Sequence, residues 1–108
     1  MLDEAARRGN AYLEAGADCA FVPFVRDAET IAALVRDIDG PVNTLSGAPS
    51  PTVPELRKIG VRRVSVGGLL SLAAATLFRN AAEELRGPGT YSFAKGVILH
   101  PEMNKLMS

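Results

Sequence analysis

Hydrophobic positions along this chain switch between helical spacing and continuous short runs. Residues 2–15 carry Leu2, Ala5, Ala6, Gly9, Tyr12 and Leu13 at helical intervals, and Gly16 supplies a stop. The run that follows, "DCAFVPFV" at 18–25, is nearly all apolar and of strand length. Such a run without polar alternation fits a strand covered on both faces, as in a parallel sheet. Asp27 stands where it can cap the next helix, in which Ile31, Leu34, Val35 and Ile38 keep the i, i+3, i+4, i+7 pattern. Gly40-Pro41 breaks that helix, and "PVNTL" is a second short strand.

The same order then recurs. Thr52 and Glu55 have capping-box spacing, and Pro54 falls in the first turn, where its missing N–H costs little. Leu56 and Ile59 face inward and Gly60 ends this short helix, after which "VRRVSV" is a third strand. Gly67-Gly68 leads into the longest helix, 69–86, with Leu70, Ala74, Leu77, Ala81 and Leu85 as its main stripe and Leu69, Leu72 and Ala73 widening it. Gly87-Pro88-Gly89 closes it, and the tail predicts an extended piece followed by one helical turn after Pro101. The order α-βα-βα-βα implies parallel strands joined by right-handed crossovers. Three strands are too few for an eight-stranded barrel and few even for an open doubly wound sheet, so the chain reads as the last three units of something larger.

Composition narrows the partners more than the fold. A length of 108 residues allows one domain, and 47% hydrophobic with 22% charged residues is the balance of a soluble globular protein. Twelve basic residues offset twelve acidic ones, which leaves no field to favour nucleic acid. No apolar stretch approaches the ~20 residues of a membrane span, and "MLDEAARRGN" lacks a signal-peptide core. A single cysteine, Cys19, rules out an internal disulfide and suits a reducing cytoplasm. The expectation is a cytoplasmic protein with neither nucleic-acid nor membrane partners.

Three stretches carry a resemblance: "YLEAGADCAFVPFVRDAETIAALV", "PVNTLSGAPSPTVPELRKIGVRRVSVGG" and "AAEELRGPGTYSF". In order and spacing they resemble the C-terminal part of the isocitrate lyase/phosphoenolpyruvate mutase family, along nearly the whole chain. The resemblance implies an α/β fold in which residues 1–108 are one partial domain: the C-terminal three βα units of a (β/α)8 TIM-type barrel, strands six to eight plus a tail, incomplete on its own. It also implies a lyase or mutase acting on C–C or P–C bonds of small 2-oxo or hydroxy carboxylates, through an enolate-like intermediate held on Mg²⁺. The family's metal-binding aspartates and its catalytic loop belong to the first half of the barrel. Asp18 and Asp27 do not match those positions, so this chain alone is expected to bind no Mg²⁺ and to carry no catalytic residue of its own. Where some lyase members have a glutamate at the end of the sixth strand, Pro23-Phe24 stands here. Family members commonly form tetramers, so a homo-oligomer is expected.

The candidate substrate-binding residues are Asn43, Thr44 and Ser46. Asn43 matches the family's asparagine at the end of the seventh strand, where an amide can bind a substrate carboxylate or orient metal-bound water. The plain alternative is a turn asparagine bonded to its own backbone. Thr44 and Ser46 line the same mouth or serve as local turn hydroxyls. "SVGGLL" leaves N–H groups for an anion or is simply a tight turn. Ser65 points into the barrel or fills a core layer, and Arg26 steers an anionic substrate or is solvated. Cys19 reads as a small buried apolar residue, Arg62-Arg63 as a solvated strand entry, and His100, the only histidine, as a surface residue. Two functions from different classes follow. One is the C-terminal segment of a Mg²⁺-dependent lyase-like barrel, inactive without its N-terminal half. The other is a catalytically silent α/β fragment or self-associating interaction module.

Overall fold

Capping chemistry and glycine placement set most of the element limits in the computed structural model, which describes residues 1–108. Helix α1 spans Leu2–Glu14, and Gly16 follows it at φ 104°, a left-handed conformation open to glycine. Within α1, a Cβ on Gly9 would lie 3.1 Å from Ile38 Cδ1, so the bare glycine permits close approach of α1 to the end of α2, Ala28–Asp37. Asn10 ties the same two elements together. Its Nδ2 donates to the Asp37 carbonyl at 3.0 Å, and its Oδ1 accepts from the Asp39 N–H at 2.8 Å. At the other end of α2, the Asp27 carboxylate accepts from the Thr30 N–H at 2.8 Å, as its position predicts.

Strands β1 (Ala20–Phe21), β2 (Val42–Leu45) and β3 (Arg63–Ser65) form one parallel sheet in the order β1-β2-β3. Ala20 pairs with Val42, and Asn43 lies between Phe21 and Arg63. The expected strand over 18–25 is thus cut to Ala20–Phe21. Pro23 has no N–H for a ladder, and Phe24 at φ 66° turns the chain away. β3 is likewise shorter than "VRRVSV" suggests. Helix α3 spans Val53–Ile59, and the Glu55 carboxylate accepts from both the N–H and the hydroxyl of Thr52 at 2.7 Å. Gly60 closes α3 at φ 104°.

The core lies on one face of the sheet. Ala6 of α1, Leu34 and Ile38 at α2, Ala20 of β1 and Val42 of β2 form a buried cluster flanked by Leu13, Val22, Val25 and Val35. Ile31 and Leu56 are buried as well.

The chain divides into two units, Met1–Leu69 and Leu70–Ser108. Helix α4 runs Leu69–Arg86, the limits its flanking glycines predict, but no residue of it is buried. Periodicity records an apolar face, not what covers it. Beyond α4, the Glu84 carboxylate accepts from the Thr90 hydroxyl, the Ser92 N–H and hydroxyl, and the Phe93 N–H. These bonds hold a 3-10 turn at Ser92–Ala94. Helix α5, His100–Met107, exceeds the single turn expected after Pro101; proline in its first turn is compatible with a helix start.

Candidate functional site

All three strands run the same way, so their C-terminal ends and the loops after them, residues 22–27, 46–52 and 66–68, share one edge of the sheet. Alternation along β2 then decides which side chains meet there. Val42 packs into the helix-facing core. Asn43 and Leu45 therefore occupy the opposite, inner face, while Thr44 returns to Val42's side.

Asn43 is only 2% exposed, although it is an amide on a short strand. Its Nδ2 donates to Ser65 Oγ at 3.0 Å, and Ser65 Oγ in turn donates to the Thr44 carbonyl at 3.2 Å. Asn43 Oδ1 has no partner and no contact with solvent. A buried acceptor left unpaired costs roughly 1–3 kcal/mol, which marks this position as one where ordinary turn satisfaction does not account for the residue. The turn reading of Asn43 required a bond to its own backbone, and the amide instead reaches across to β3.

Thr44 and Ser46 come together, with their hydroxyl oxygens 3.1 Å apart. The sheet separates this pair from the inner face on which Asn43 stands. Ser65, in contrast, joins Asn43, as Arg63 does by register. Ser65's partnership was visible in the sequence only as period-2 parity within "VRRVSV"; the link to a residue 22 positions earlier comes from strand pairing.

The remaining candidates scatter. Arg26 lines a groove of about 570 Å³ with Asp27, Ser50, Glu55 and Lys58. Its two carboxylates are committed to helix caps. Asp27 is held below its ordinary value by Thr30, and Glu55 below its own by the Thr52 hydroxyl and N–H, so neither is a proton donor near neutrality. Cys19 is half-buried rather than buried, because it precedes the short β1 instead of sitting within it. Arg62, Arg63 and His100 are exposed. No three His, Cys, Asp or Glu side chains stand together in the chain. No helix is long and apolar enough to cross a membrane. What this face of the sheet offers is an amide and a hydroxyl bonded to each other, with Arg63 their neighbour by register.

Residues 1–86 match the family model for phosphoenolpyruvate phosphomutase. An uncharacterized protein of Mycobacterium tuberculosis is 44% identical over 63 residues, which cover 58% of this chain and 24% of that one. Among solved structures, a Burkholderia cenocepacia protein with a provisional lyase/mutase assignment is 38% identical with a TM-score of 0.86, over 100% of this chain and 40% of that one. A second protein of that organism, provisionally a phosphonomutase, is 37% identical with a TM-score of 0.73, over 77% of this chain and 33% of its own. Oxaloacetate acetylhydrolase with bound oxalate, at 24% identity and a TM-score of 0.79, shares the fold over 94% of this chain and 37% of its own. The chain thus spans about a quarter of the curated relative and two fifths or less of these structures.

Proposed function

Because the chain belongs to the phosphoenolpyruvate phosphomutase family, within the wider group that includes isocitrate lyase, we propose that it forms the substrate-holding wall of a lyase- or mutase-type barrel. In this reading its three strands are the last three of eight, and the intact barrel makes or breaks a C–C or P–C bond beside the carboxylate of a small 2-oxo or hydroxy acid. The observation that carries it is Asn43: a buried amide with an unpartnered oxygen, on the sheet face opposite the helical core and two residues before the C-terminal end of β2, the end near which barrel enzymes of this type act. Thr44 and Ser46 are proposed to shape the same mouth from the other side of the strand. Mg²⁺ belongs to the proposal only for the intact barrel, since no three His, Cys, Asp or Glu side chains cluster in this chain.

The division of labour follows from the side chains present. In this proposal the chain binds and orients the substrate, and the other strands of the barrel supply proton transfer. The test is complementation. The chain is mixed with a fragment carrying the first five βα units of a relative, and cleavage of small carboxylates is followed by release of a 2-oxo acid. Turnover is expected in the mixture, absent from either part, and reduced about 100-fold by Asn43→Ala. Turnover by the chain alone would overturn the proposal.

A second reading, a self-associating module, is favoured by α4 and α5. Leu70, Phe78 and Met107 are 75%, 78% and 81% exposed, more apolar surface than an isolated chain keeps comfortably in water. Sedimentation at two concentrations tests it: a mass above the monomer that falls on dilution supports homo-oligomerisation, and a constant monomer mass rejects it.

A further inference from the structure

Arginines in the first unit divide by what they face. Arg7 and Arg8 pair with Glu4, and Arg36 pairs with Asp37. Arg57, in the last turn of α3, and Arg62, just before β3, are exposed and enter no ion pair. They share one groove of about 390 Å³, whose other walls are Gly60 and Val61. No carboxylate lines it. The groove that Arg26 lines is different, because Asp27 and Glu55 stand in its wall.

The backbone between the two arginines is fixed. The Gly60 N–H donates to the Leu56 and Arg57 carbonyls at 3.1 Å, and the Val61 N–H donates to the Leu56 carbonyl at 3.0 Å. The Arg62 N–H donates to the Val42 carbonyl at 3.1 Å, which ties it to β2. Each N–H from 60 to 62 is thus spent, so an anion here is held by side chains alone. Guanidiniums suit that task. Each presents a planar fork of N–H groups that matches two oxygens of a phosphate, and each stays charged near neutrality. Arg63, next in sequence, is not among the walls, and its register places it beside Asn43.

We propose that Arg57 and Arg62 form a binding site for a small phosphate-type dianion, with one guanidinium on each side of it. Two like charges in one groove repel each other, and a dianion between them turns that repulsion into attraction. The groove precedes β3, so it lies at the edge of the sheet opposite the loops 22–27, 46–52 and 66–68. It is therefore a second site, and it stands or falls independently of the reading of Asn43. The sequence reading of Arg62 as a solvated strand entry is replaced here by a role shared with a residue of the preceding helix.

Inorganic phosphate is the probe. It is titrated into the full 108-residue chain at about pH 8, where the dianion predominates, while the backbone amides of Gly60, Val61 and Arg62 are followed by NMR. Chloride at matched ionic strength is the control for screening. Phosphate is expected to give saturable shifts with a midpoint of about 1–10 mM. Arg57→Gln and Arg62→Gln are each expected to raise that midpoint about tenfold, and both positions are exposed, so the fold is little affected. Arg36→Gln removes an arginine of the same unit outside the groove and is expected to leave the midpoint where it is. Shifts in the unaltered chain that grow linearly with phosphate, or that chloride reproduces, overturn the site as general screening. A midpoint that neither groove variant moves, or that Arg36→Gln moves as far, overturns it as well.

Discussion

Leu56 and Leu77 each sit on the apolar stripe of an amphipathic helix, yet Leu56 is 0% exposed and Leu77 is 61% exposed. The difference runs through both units. In Met1–Leu69, short helices with defined caps bury a small set of residues against a parallel sheet. In Leu70–Ser108, a long helix with an equally regular pattern buries nothing, and a polar joint around Glu84 ties the turn that follows it. Amphipathicity and burial are thus separate properties. The first belongs to the sequence of one helix, and the second requires a surface to meet it.

The largest effect that can break this comparison is a leucine truncation in each unit. Leu56→Ala empties a fully enclosed site and is expected to cost about 2–5 kcal/mol, read from the midpoint of urea unfolding. Leu77→Ala is expected to change stability by less than about 0.5 kcal/mol, since an exposed side chain loses little on removal. A cost at Leu77 approaching that at Leu56 would mean that the α4 stripe is covered in solution, and the self-associating reading would gain by it.

Legibility from sequence divides along the same line between local and long-range causes. Asp27, Thr52 with Glu55, Gly16 and Gly60 act within one turn of chain, and the helix limits they predict agree with the structure to within a residue or two. β1 was overestimated because an apolar run does not reveal where its ladder ends; Pro23 and the turn at Phe24 do that. The candidate site was half legible. Asn43 stands at a strand end in the sequence, but its partner lies 22 residues on, and that Thr44 and Ser46 take the other face follows only once Val42 is known to join the core. Ser65 stood open between core filler and site residue for the same reason.

A smaller effect sharpens the account of the first unit. Asn10 is a side chain on α1 that bonds backbone groups of both Asp37 and Asp39. Asn10→Ala removes both bonds at an exposed joint, where water can replace them, so the expected loss is about 1 kcal/mol. Amide hydrogen exchange at Asp39 checks the location: faster exchange confined to residues 37–40 fits, and loss of protection throughout β2 would show that the joint supports the sheet as well.

The smallest effect separates two carboxylates that share one direction of shift for different reasons. Glu4 in the first unit and Glu84 in the second are both lowered to about 2. Glu4 is lowered chiefly by hydrogen bonds from the Arg7 and Arg8 guanidiniums, which carry full charge. Glu84 is lowered chiefly by the Thr90 hydroxyl, then by the Ser92 N–H and hydroxyl, all neutral donors. Because each folded value lies below the unfolded one, each contribution is complete above the ordinary value of 4.5 and is lost as pH falls toward about 2. Salt tells them apart, since it screens exposed charge pairs and leaves neutral hydrogen bonds nearly untouched. Carboxyl carbon titrations by NMR at low salt and at about 1 M salt, where the screening length falls to roughly 3 Å, are expected to raise the Glu4 midpoint and leave that of Glu84 in place. Equal movement of both would mean that the Glu84 joint opens in solution, and the second unit would then keep neither a buried core nor a fixed turn.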